Sequence, residues 1–96
     1  MTAYWIAHGK VNNPEQYMKY ADQVPGILAK HNGKILARGG DFKILEGPEH
    51  FSRHVVIEFP SLEAAEACFN SEEYQSAAAH RRAEGAGEVQ IMIVSA

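Results

Sequence analysis

The chain of 96 residues contains a single cysteine, Cys68, so no disulfide can form within it. It has no long apolar run, and no segment approaches the ~20 residues that a membrane-spanning helix needs. It begins without a basic leader segment and runs directly into a strand pattern. These absences predict a cytoplasmic protein with no membrane partner. Cys68 lies in a helical apolar pattern, which predicts a buried, inert thiol rather than a nucleophile.

Excess positive charge is absent too. Nine basic residues stand among twelve acidic ones, for a formal charge of −3, and the longest basic cluster is Arg81-Arg82. Nucleic acids are held mainly by phosphate contacts from a basic face, so no nucleic-acid partner is predicted. A length of 96 residues and a hydrophobic fraction of 46% predict one folded domain over residues 1–96.

The order of local patterns predicts the topology. Aromatic and branched residues at 4–11 predict a first strand, and Asn13-Pro14 begins a helix that Pro25-Gly26 should break near Gln23. A second strand is expected over 34–46, with a bulge at Gly39-Gly40, and a third over 52–59. Ser61 and Ser71 each cap a helix, over 62–70 and 72–82, and the last strand follows.

The resulting order is strand, helix, strand, strand, helix, strand. It predicts an α+β ferredoxin-like sandwich with one four-stranded antiparallel sheet and the helices on one face. Apolar residues of both parities, such as Val55 and Val56 or Ile91 and Met92, leave the second sheet face in need of cover. A homodimer packed sheet against sheet would supply that cover.

The sequence resembles a family of small bacterial proteins described only as a domain of unknown function. The resemblance is carried by RGG at 38–40, LEG at 45–47, RHVVIEFPSLEAAEACFNSEEYQ at 53–75, Arg81, and the opening NPEQYMKYADQVPGILAKHNGK. It departs at Cys68-Phe69, where the family often has an aromatic pair, and at Asn32-Gly33, where it often has two glycines.

The resemblance implies the dimeric α/β-barrel superfamily, with a homodimeric barrel and a cleft between sheet and helices in each subunit. Its relatives include cofactor-independent monooxygenases, haem proteins, lactone isomerases and regulatory ligand-binding modules. Fold alone does not select among these functions.

Arg38 and Glu58 interrupt otherwise apolar strands, and the expected hairpin would place them on one face near the glycine bend. They are candidate catalytic residues together with Tyr74, although a structural ion pair is the ordinary alternative. Core packing is the ordinary role for the tyrosines. The candidate ligand-binding residues are Tyr20, Arg53, Arg81 and His54.

Five histidines raise the question of a metal or haem. No helical His-x-x-x-His pair or Cys/His cluster occurs, and His50 and His54 would lie ~13 Å apart along a strand. His8 and His54 could approach on adjacent strands, and His80 could be an axial haem ligand, but surface or half-buried imidazoles are the simpler interpretation. No metal and no cofactor are therefore predicted.

The leading hypothesis is a homodimeric, cofactor-independent enzyme that acts on a small anionic or carbonyl compound in the cleft. A non-catalytic ligand-binding or regulatory dimer is the alternative, and a haem-binding protein ranks below both. No nucleophile with a recognisable partner and no phosphate-binding glycine loop supports a narrower reaction class.

Overall fold

The computed structural model describes residues 1–96 and contains one antiparallel sheet of four strands. The strands are β1 (Ala3–Val11), β2 (Lys34–Arg38), β3 (Arg53–Phe59) and β4 (Gly87–Ser95). They are ordered β2-β3-β1-β4, so both connections that contain helices cross over a neighbouring strand. This topology confirms the predicted ferredoxin-like α+β fold.

The helical segments are interrupted in both halves of the chain, as the sequence predicts. They are α1 (Pro14–Ala21), α2 (Val24–Lys30), α3 (Leu62–Asn70) and α4 (Glu72–Arg82), followed by a 3-10 turn at Ala83–Gly85. None of the helices combines the length and the apolar character needed to cross a membrane.

Short polar side chains start α1, α3 and α4. Asn13 Oδ1 accepts a hydrogen bond from the Gln16 amide at 3.2 Å, and Ser61 Oγ accepts one from the Ala64 amide at 3.1 Å. Ser71 both ends α3 and begins α4. Its hydroxyl donates to the Cys68 carbonyl at 2.7 Å and accepts from the Tyr74 amide at 3.2 Å. One serine therefore satisfies a carbonyl at the end of α3 and an amide at the start of α4.

The end of α2 is set by Asn32-Gly33. Asn32 adopts a left-handed conformation, with φ 63°, and the Gly33 amide donates back to the Leu28 carbonyl at 2.8 Å. This pattern is a Schellman motif, which reverses the chain into β2. A methyl group in place of a Gly33 hydrogen would lie 2.9 Å from the Phe59 ring, so glycine also allows close packing there.

The second strand differs from the prediction. It ends at Arg38 instead of residue 46, and its bulge lies at Leu36, between Ile35 and Ala37, instead of at the glycine pair. Gly39 takes a φ of 65°, and its amide makes a last bond to the His54 carbonyl at 3.1 Å. The glycines therefore release the chain from the sheet, and residues 39–52 form an irregular segment that is almost wholly exposed.

The two faces of the sheet have different environments. The face toward the helices carries the core, in which Trp5 packs on Phe59 and Tyr74 with ring centroids 5.9 Å and 5.2 Å away. Cys68 is also buried there, and burial raises the pKa of its thiol to about 11, with a smaller contribution from Glu73. The opposite face, termed the open face below, carries apolar side chains that no helix covers: Tyr4, Ile6, Val56, Met92 and Val94.

Candidate functional site

A cleft opens between the sheet and the first pair of helices, on the helix-covered side. Its cavity volume is about 40 Å³, and its mouth is open to solvent. Its inner wall is apolar and is formed by Trp5, Ala7, Leu28, Ile35, Val55 and Ile57. A predominantly apolar cleft with a few polar groups is the usual form of a small-molecule site.

Four side chains supply the polar groups of this cleft. Tyr17 and Tyr20 enter from α1, where they are three residues apart and share one face of the helix. Arg38 and Arg53 enter from the ends of β2 and β3. No aspartate or glutamate lines the cleft, and neither arginine forms an ion pair with a carboxylate.

The strand register places Arg38 beside Arg53. Arg38 is opposite Val55, which makes Arg53 its diagonal neighbour on the same face of the sheet. The predicted pairing of Arg38 with Glu58 is wrong, because Glu58 lies opposite Lys34. The bulge at Leu36 adds one residue to β2 and shifts the parity of everything after it, so Arg38 turns toward the helices while Glu58 stays on the open face.

Arg38 has a structural partner as well as a place at the mouth of the cleft. Its Nη2 donates to the Ala21 carbonyl at 3.1 Å, and Ala21 is the last residue of α1. A guanidinium at this position complements the partial negative charge at the end of the helix. The remaining N–H groups of Arg38 face an exposed region and are free to meet a ligand.

Arg53 is held over the ring of Tyr17, with its Cζ 5.8 Å from the ring centroid. Tyr17 is itself fixed by Gly87, where a methyl group would lie 2.7 Å from the Tyr17 ring. Burial, and then the neighbouring Tyr20, raise the pKa of Tyr17, while Arg53 and Arg81 oppose the shift. The Tyr17 hydroxyl therefore stays protonated at neutral pH and can act as a hydrogen-bond donor.

A hydrogen-bonded chain lies directly behind the cleft. The hydroxyls of Tyr20 and Tyr74 are 2.9 Å apart, and Arg81 Nη2 donates to Tyr74 Oη at 3.4 Å. The Arg81 guanidinium also lies 5.1 Å from the Tyr20 ring centroid. Burial, and then Tyr74, raise the pKa of Tyr20 far above its usual value, which leaves Tyr20 as a neutral donor or acceptor.

Arg81 is notable because it is buried, at 6% exposure, without a carboxylate partner. Its Nε atom also has no hydrogen-bond partner. Tyrosine hydroxyls and an aromatic face compensate only in part for removing a cation from water. Arg81 therefore places a positive charge behind the Tyr20 wall of the cleft.

The structure brings together five of the predicted site residues and separates the other two, Glu58 and His54. Tyr20, Arg38 and Arg53 line the cleft, and Tyr74 and Arg81 lie behind Tyr20. His54 does not belong to this group, because strand alternation turns it to the open face. There its Nδ1 lies 2.8 Å from Nδ1 of His8, and the ring of Phe42 packs at 4.5 Å.

The histidines do not form a metal centre with neighbouring acidic or thiol groups. No group of three or more potential ligands converges. His80 is half-buried on α4 and does not line the cleft. Among the lining residues, His8 contributes from the strand while its ring contacts His54, so the cleft contains no free imidazole or carboxylate to accept a proton.

Tyr17 lines the cleft but is not among the site residues predicted from the sequence. Its spacing of three from Tyr20 indicates a shared helix face, but that spacing does not distinguish a core tyrosine from one that lines a cleft.

A family model described as "Domain of unknown function (DUF1330)" matches residues 2–96. No curated protein matches the chain at a significant level.

Several solved structures share the fold at low sequence identity. A protein of unknown function from Rhodopseudomonas palustris has a TM-score of 0.78 and 18% identity, over 99% of this chain and 82% of that one. A dimeric protein of unknown function with a ferredoxin-like fold from Bacteroides fragilis has a TM-score of 0.66 and 12% identity, over 99% and 96%. SnoaB, a cofactor-independent oxygenase from Streptomyces nogalater, has a TM-score of 0.65 and 11% identity, over 99% and 92%.

Proposed function

The chain belongs to the DUF1330 family, which has no assigned function, and we propose that it is a homodimer whose cleft binds a small anionic or carbonyl compound. The observation that carries this proposal is the position of Arg38 and Arg53. The two arginines are diagonal neighbours on one face of the sheet, both line an apolar cleft, and neither has a carboxylate partner. Like charges on neighbouring strand positions repel each other, and a bound anion would offset that repulsion.

The proposed chemistry is that of a cofactor-independent enzyme that stabilises negative charge on a substrate oxygen. Arg38 and Arg53 would face that oxygen, and the neutral Tyr17 and Tyr20 hydroxyls could donate to it. SnoaB, a cofactor-independent oxygenase, has the same fold, which supports the proposal that this scaffold can carry out a reaction without a cofactor. Tyr74 and Arg81 would act through Tyr20, and Glu58 has no part because it lies on the open face.

A non-catalytic ligand-binding dimer is the second candidate, and one observation favours it. The cleft holds no carboxylate and no free imidazole, so it lacks the usual groups that remove a proton from a substrate. An enzyme with this cleft would need a substrate that is acidic enough to lose its proton to water. A binding protein has no such requirement.

The homodimer is supported by the open face of the sheet. Met92 and Val94 are 40% and 43% exposed there, beside Ile6 and Val56. Contiguous apolar surface of this kind is typical of an interface. A second copy packed face to face would cover it, and such an interface should bury more than ~1,200 Å² in total.

A thermal-shift screen of small organic acids and carbonyl compounds tests the cleft. A ligand present at a hundredfold its dissociation constant should add ~2.7 kcal/mol to the free energy of unfolding. Ala7→Leu should abolish the shift, because the longer side chain fills the inner wall of the cleft. Ala79→Leu is the matched control, since Ala79 is exposed on α4, and it should keep the shift.

Incubation of a stabilising compound with the protein, followed by mass spectrometry, separates the two candidates. Consumption of the compound supports the enzyme, and its full recovery supports the binding protein. The cleft proposal fails if no compound shifts the wild-type protein, or if the shift is the same in Ala7→Leu.

A further inference from the structure

We infer that the cleft selects a carboxylate attached to an apolar body, with the carboxylate bridging Arg38 and Arg53. This inference rests on the proposed function and narrows the ligand class that it leaves open.

The geometry of the two arginines favours a planar anion. A guanidinium presents its N–H groups in a rigid planar fork that matches the two oxygens of a carboxylate. Arg53 is pre-oriented by the ring of Tyr17, and Arg38 is anchored by the Ala21 carbonyl at 3.1 Å. Because each side chain is already held by a neighbour, a ligand has less side-chain freedom to remove when it binds.

The inner wall selects the rest of the ligand. Beyond the arginines, the cleft is lined by Ala7 and Val55 on the sheet, Leu28 on α2, and Trp5. None of these side chains offers a strong acceptor, and a polar ligand body would lose its bonds to water without replacement. A hydrocarbon or aromatic body would displace that water at no such cost.

The test is calorimetric titration with 2-naphthoate, with 2-naphthamide, which has the same shape and no charge, and with inorganic phosphate. Naphthoate should bind at least ~10-fold more tightly than the amide, since hydrogen bonds to charged groups contribute ~1.5–3 kcal/mol. Arg53→Lys and Arg38→Lys should each weaken naphthoate by ~10-fold and leave the amide unchanged, because lysine lacks the fork. Arg82→Lys, on the exposed face of α4, should change neither.

The failures of the two proposals are distinguishable. If the amide binds as tightly as naphthoate, the cleft is a small-molecule site and the carboxylate inference is wrong. If phosphate competes with naphthoate at equal affinity, the site is a general anion site, and the inference is wrong again. If neither aromatic compound binds, and no compound gives a thermal shift that Ala7→Leu abolishes, the proposed function itself fails. Circular dichroism of each variant checks that the fold is retained.

Discussion

Val56→Asp is expected to convert the protein from a dimer into a monomer. The register places Val56 opposite Ile6 at the centre of the open face, between β1 and β2. In a face-to-face dimer, an aspartate there would be removed from water without a partner in each subunit, at a cost of several kcal/mol. Light scattering should show the mass falling from twice 10.6 kDa to 10.6 kDa.

Ala67→Asp is the matched control for this experiment. Ala67 is exposed on α3, on the side of the helix layer away from the sheet, so the same new charge should leave the dimer intact. A wild-type protein that is monomeric at micromolar concentration, or a Val56→Asp variant that stays dimeric, would contradict the proposed interface. Unfolding of Val56→Asp upon dissociation would still agree with it, because small domains gain much of their stability from such contacts.

The effect of replacing Arg81 on the free energy of unfolding should depend on the size of the new side chain. Arg81→Ala is expected to lower the free energy of unfolding by ~2–4 kcal/mol, because it leaves a cavity between α1 and α4. Arg81→Met should stay within ~1 kcal/mol of the wild type or exceed it, because methionine fills most of the volume and removes a buried cation that has no carboxylate partner.

Denaturant unfolding of the two variants measures this difference directly. If both lose the same free energy, the guanidinium itself holds the two helices together through Tyr74 and Tyr20, and Arg81 is structural. If Arg81→Met is stable but binds anions less tightly, the charge serves the cleft and not the fold.

Much of the fold can be predicted because its signals are local. Ser61 and Ser71 mark two helix starts by the chemistry of their hydroxyls, and Asn32-Gly33 marks a helix end by its tolerance of positive φ. Each of these signals depends only on residues within about one helical turn. Consecutive apolar residues in β3 and β4, such as Val55 and Val56 or Ile91 and Met92, likewise identify strands whose two faces both need cover.

The site depends on a signal that is not local. A bulge at Leu36 decides which side of the sheet Arg38 faces, and leucine at that position gives no signal of a bulge. Gly39-Gly40, a few residues later, is the more conspicuous irregularity in the sequence, and the bulge is predicted there. A shift of one residue exchanges the faces, so Arg38 meets Arg53 instead of Glu58.

The contacts among Tyr20, Tyr74 and Arg81 also depend on non-local packing. The sequence favours core packing for Tyr20 and Tyr74, and in the structure Tyr74 is buried against Trp5 while Tyr20 packs on the edge of the core. The sequence does not predict that α1 and α4 lie close enough for the two hydroxyls to meet at 2.9 Å, because that distance is set by how both helices pack on the sheet. The burial of Arg81 follows from the same packing.

A crystal structure of the protein with 2-naphthoate bound tests the central claim most directly. We expect the naphthyl ring to lie between Trp5, Val55 and Leu28, with the carboxylate oxygens within hydrogen-bond distance of the guanidinium groups of Arg38 and Arg53. An empty cleft, with naphthoate bound on the open face or elsewhere on the surface, would contradict it.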